Sequence, residues 1–121
     1  MFPQRFHTNQ RMSQMVVYAD VIYLAGQVAD DTSDDTVGQT RQILTKIDRL
    51  LAEAGSDKTQ IISATIWLAD RQHFGEMNTA WDAWVPLGAA PARACVESRL
   101  VLPEFAVEIS IVAAKGRRTA T

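Results

Sequence analysis

Few side chains in this 121-residue sequence have the types and spacing to do chemistry. The single cysteine, Cys95, is a nucleophile by type, but no histidine stands near it in the chain to activate it. A free cysteine is also among the most often buried residue types. One cysteine and two scattered histidines, His7 and His73, cannot supply a closed structural zinc site, so no metal is expected. Both histidines read as solvated or capping residues. Glu108 is a stronger candidate. It interrupts the apolar run Val107-Glu108-Ile109, where a carboxylate is costly to bury unless paired, so it points to function or to an arginine across an interface. Arg93 carries a planar guanidinium able to hold a carboxylate through two parallel hydrogen bonds. On its type alone it reads as a strand-edge arginine in a surface ion pair. Trp81 and Trp84 read as core or interface packing rather than ligand stacking.

The elements that must position these residues follow from periodicity. Met15 to Gln27 is rich in Val, Ile, Tyr and Leu on either side of Ala19-Asp20, which predicts a β-hairpin. Asp35 is placed to cap a helix whose apolar positions Ile43, Leu44, Ile47, Leu50, Leu51 and Ala54 recur at helical spacing, with Gly55 as its stop. Ile61 to Leu68 reads as a strand. Asp70 then caps a second helix carrying Phe74, Met77, Trp81 and Trp84, ended by Pro86. Arg93 to Glu97 and the run Phe105 to Ala114 alternate as strands. The expected order is β-β-α-β-α-β-β, an α+β fold with two helices on one face of a sheet. The last strand is apolar on both faces, Val107, Ile109 and Ile111 against Val112 and Ala114, so the uncovered face calls for oligomerisation.

Size and charge bound the function. At 13.4 kDa the chain is expected to be one domain over residues 1–121, frayed from about 115 to 121. A net charge of −2 offers no field to hold a phosphate backbone or an anionic membrane, so neither nucleic acid nor membrane is expected as partner. Met1 to Met15 has no apolar core of a secretory signal, and the longest apolar stretches fall far below the roughly 20 residues of a membrane span. With one unpaired cysteine, the expected location is the reducing cytoplasm.

Six short strings, in order and spacing, resemble the RidA family of reactive-intermediate deaminases. They are Leu24-Ala25-Gly26-Gln27, Gln39-Thr40-Arg41-Gln42-Ile43-Leu44, Ala54-Gly55-Ser56, Met77-Asn78, Pro91-Ala92-Arg93 before Cys95-Val96-Glu97, and Leu102-Pro103 followed by Val107-Glu108-Ile109. The resemblance spans about Arg11 to Ala114. It implies a chorismate-mutase-like fold assembled as a homotrimer with a cleft at each subunit interface. It further implies cofactor-free hydrolysis of 2-imino acids and their enamine tautomers to 2-keto acids and ammonia. On the same ground Arg93 matches the family's carboxylate-binding arginine and Glu108 its water-positioning glutamate. Gly26, Cys95 and the position of Met12 would line the substrate site, with Gly26 leaving room for a ligand against the backbone or else marking a bulge.

Departures from the family matter as well. Met12 stands where the best-studied deaminases have a tyrosine, and Ala25 where they have a serine, so the pocket wall has lost two hydroxyls. Ser110 stands where many relatives carry a second acid. The alternative is therefore a non-catalytic trimeric module that binds small carboxylates or keto acids. A pericyclic enzyme of the chorismate-mutase kind would need cationic companions to Arg93 that the sequence does not show, and ribonuclease chemistry lacks a histidine pair.

Overall fold

The computed structural model describes residues 2–116. The chain runs β1 (Gln4–Thr8), β2 (Ser13–Tyr18), β3 (Val21–Leu24), α1 (Thr36–Glu53), β4 (Ile61–Leu68), α2 (Phe74–Trp84), β5 (Ala92–Glu97) and β6 (Val107–Ala114). The six strands form one sheet in the order β1-β2-β3-β6-β4-β5, parallel between β4 and β5 and antiparallel elsewhere. Both helices lie on one face of this mixed sheet and pack on each other, as expected from the sequence.

One element departs from expectation. Three strands, not two, precede α1, because Gln4–Thr8 pairs with β2 as an edge strand. Its residues are almost all polar and exposed, with only Phe6 packed against the core, so backbone hydrogen bonds rather than hydrophobic alternation place it. His7 adopts φ 52 within it, and Ala19 takes φ 53 in the tight β2–β3 turn that the sequence predicted. Both are left-handed conformations that L-residues with a Cβ adopt only under constraint.

Elsewhere local chemistry explains the boundaries. Asp35 caps α1 by accepting a hydrogen bond from the Gly38 N–H at 2.8 Å, and Gly55 leaves the helix with φ 76. Asp70 caps a short 3-10 turn, Arg71–His73, which leads into α2, rather than capping the α-helix itself. The last strand begins at Val107, two residues later than the alternation suggested. Along it Val107, Ile109, Ile111 and Ala113 are buried under the helices while Glu108, Ser110, Val112 and Ala114 lie half-buried on the other face. The core is closed by α1 residues Ile43, Leu44, Ile47, Leu50 and Leu51 and by Met77 and Trp81 of α2. Gln39, buried in α1, donates to the Thr32, Asp34 and Glu104 carbonyls and accepts from the Ala106 N–H, tying the loops on either side to the start of β6.

The second face of the sheet, bearing Val16, Tyr23, Trp67, Val96 and Val112, has no helix over it. Of the expected frayed tail, Lys115 is anchored, its N–H donating to the Asp20 carbonyl at 2.8 Å. Residues 117–121 lie outside the described residues.

Candidate active site

Arg93 sits on β5, the edge strand, in register with Ala64 of β4. Ala64 is buried under the helices, so its parallel partner Arg93 projects to the same face and over α2. There Nη1 donates to Asn78 Oδ1 at 2.7 Å, and the guanidinium carbon lies 5.3 Å from the Trp81 ring centre and 5.7 Å from that of Phe74. Phe74, Asn78 and Trp81 fall at i, i+4 and i+7, one stripe of α2. No carboxylate pairs with Arg93 among the described residues, contrary to the surface ion pair its type alone suggested. A neutral amide and two aromatic faces fix the guanidinium while leaving most of its five N–H donors open.

Cys95 follows on the same face of β5, half-buried against the core edge. Burial pushes its thiol above the ordinary range, and the Arg93 charge pulls it back only in part. At neutral pH it is a protonated, weak nucleophile.

Glu108 lies on the opposite face of the sheet, across from Trp67. It is half-buried and has neither ion pair nor hydrogen bond among the described residues. Its carboxylate rests on Gly26: a Cβ built on Gly26 would stand 2.0 Å from Oε2 and 2.8 Å from the carboxyl carbon. Gly26 therefore makes room for Glu108. Ser110, next on that face, donates its hydroxyl to the Leu24 carbonyl at 3.0 Å.

Met12 ends the β1–β2 turn, in which Asn9 Oδ1 accepts from the N–H groups of Arg11 and Met12. Its side chain is 43% exposed and, with Gly26, lines a cavity of about 530 Å³ against α1. The structure thus sorts the candidates into two groups. Gly26 and Glu108 touch and Met12 shares a cavity with Gly26, whereas Arg93 and Cys95 sit at the β5 edge. From strand spacing and rise, the Arg93 and Glu108 backbones are roughly 14 Å apart, with side chains on opposite faces. One chain does not bring them together.

Sequence reasoning missed Asn78 and Phe74 as the supports of Arg93. The signal was available as the 74/78/81 stripe of a helix feeding a parallel strand. Trp81 is core packing, as read, yet also turns a ring face to Arg93. The histidines have partners the sequence did not reveal: His7 Nε2 donates to both Glu53 oxygens at 2.8 and 3.0 Å, and His73 Nδ1 lies 3.2 Å from Thr36 Oγ1. Among the described residues no three His, Cys, Asp or Glu side chains converge as metal ligands, and no helix is long and apolar enough to cross a membrane.

Residues 2–115 match the family model described as Endoribonuclease L-PSP. The chain belongs to this family. A RutC family protein of Haemophilus ducreyi is 44% identical over 91% of this chain and 94% of its own length, and the RutC family protein YoaB of Escherichia coli is 43% identical over 91% and 96%. Among solved structures, a YjgF family member from Neisseria meningitidis superposes with TM-score 0.94 at 45% identity, covering 98% of both chains. A member of the Rid family from Yersinia pestis, YyfA, superposes with TM-score 0.81 at 28% identity over 88% of this chain and 90% of its own. The RidA-type resemblance and the fold class read from the sequence therefore stand.

Proposed function

We propose that the protein hydrolyses reactive 2-imino acids and their enamine tautomers to 2-keto acids and ammonia, without a cofactor, in the cytoplasm. The observation that carries this reading is the state of Arg93: fixed by Asn78 and two rings, unpaired by any carboxylate among the described residues, and with its fork open at a sheet edge. Such a group is built to receive a planar anion.

Arg93 and Glu108 face opposite ways in one chain, so the reading requires two chains. In a homotrimer whose uncovered sheet faces pack around the symmetry axis, Arg93 of one subunit meets Gly26, Glu108 and Met12 of its neighbour in an interface cleft. The substrate carboxylate sits in the Arg93 fork. Glu108 accepts a proton from water as the oxygen attacks the imine carbon, and the nitrogen gains a proton to give a carbinolamine. Transfer of a second proton to that nitrogen lets ammonia leave as the C–N bond breaks and the C=O forms. An enamine enters the same sequence after protonation at its carbon. Water and imine are consumed, keto acid and ammonia are produced, and no electrons change hands.

The alternative, a binding module for small carboxylates or keto acids, draws support from Met12 and Ala25, which give the wall a thioether and a methyl where a hydroxyl could assist turnover. Imines generated in the assay by an amino-acid oxidase test both. Faster release of ammonia in the presence of the protein supports hydrolysis, and saturable keto-acid binding without faster release supports the module.

A further inference from the structure

The cavity beside Gly26 is larger than a small imino acid needs. At about 530 Å³ it lies within the range that holds drug-sized ligands. Met12, Val28 and Leu50 give it apolar walls. Three nitrogenous cations or potential cations, His7, Lys46 and Arg49, line it against one carboxylate, Glu53, in a molecule whose net charge is −2. Two of the three are engaged. His7 holds Glu53, and Lys46 donates to the Val28 carbonyl at 2.7 Å and to Asp30 at 2.6 Å. Arg49 is exposed on α1 and pairs with no carboxylate among the described residues. The cavity therefore offers apolar walls and one open guanidinium.

Building on the function proposed above, we infer that this cavity takes the substrate's side chain and favours one with an apolar stem and a terminal carboxylate. The substrate class is then dicarboxylic 2-imino acids of glutarate length or longer. Gly26, just past the end of β3, joins the two, because the Glu108 carboxylate packs on it and it also borders the cavity. A substrate whose imine carbon faces Glu108 and whose first carboxylate reaches Arg93 of the neighbouring chain has its side chain left to enter here. The stem lies along Met12, Val28 and Leu50, and the far carboxylate meets Arg49.

The test compares kcat/KM for imines generated from alanine, 2-aminobutyrate, norleucine and glutamate, in wild type and in Arg49→Gln. The glutamate imine is expected to exceed the 2-aminobutyrate imine at least tenfold, and Arg49→Gln to lower the glutamate value about tenfold while moving the norleucine value less than twofold. Val28→Phe, which narrows the cavity, should lower glutamate and norleucine values together and spare alanine. A flat profile across the four imines, or a glutamate value unaffected by Arg49→Gln, overturns the inference while leaving hydrolysis intact. If no imine is hydrolysed at all, the enzymatic reading fails, and calorimetric binding of 2-oxoglutarate against 2-oxobutyrate in the same variants decides for or against the cavity by the same ratios.

Discussion

Arg93 is held in a way that makes its replacement informative. Lysine keeps the charge but cannot form a fork or stack between Phe74 and Trp81, so Arg93→Lys should lose about 100-fold or more in kcat/KM for imines. Circular dichroism and urea midpoint should stay near wild type, because the side chain is exposed; near-wild-type activity would refute the clamp. Gly26→Ala tests the other half of the site. With a Cβ placed 2.0 Å from Glu108 Oε2, the carboxylate must swing away, so turnover should fall well beyond any change in urea midpoint. Glu108→Gln keeps the shape without the proton acceptor and should cost 10²- to 10⁴-fold in turnover with keto-acid binding retained. Cys95, its thiol raised by burial, should react slowly with iodoacetamide at pH 7, and Cys95→Ala should keep activity within about threefold.

At the scale of elements, capping and periodicity carried most of the fold. Asp35→Ala removes the hydrogen bond to the Gly38 N–H and should destabilise by about 1 kcal/mol in urea unfolding. β4 was legible to its end residues, because its flanking turn chemistry and branched apolar run agree. β1 was not, because an edge strand of Gln4, Arg5, His7 and Thr8 buries almost nothing and is specified by partner hydrogen bonds that leave no hydrophobic period. The same limit applies to the site. Glu108 stood out by its cost within an apolar strand, and Arg93 stood out only through the family strings. The contact of Glu108 with Gly26 joins residues 82 positions apart, and the bond from Arg93 to Asn78 crosses from strand to helix. Neither pairing follows from spacing, since both are set by how strands and helices stack.

For the whole molecule, the sheet face bearing Val16, Tyr23, Trp67, Val96 and Val112 stands without a helix over it. In the trimer proposed above, three chains of 13.4 kDa would bury it and bring Arg93 of one chain to Glu108 of another. Light scattering should return that mass at micromolar protein. The sharing of each site between chains is tested most directly by subunit mixing. Arg93→Ala and Glu108→Gln chains, each nearly inactive alone, are unfolded together in equal amounts, refolded, and assayed for imine hydrolysis. Random mixing gives about one site in four an intact Arg93 from one chain and an intact Glu108 from its neighbour, so about a quarter of wild-type activity should return. A mixture no more active than the two variants assayed separately would contradict a site built across the subunit interface.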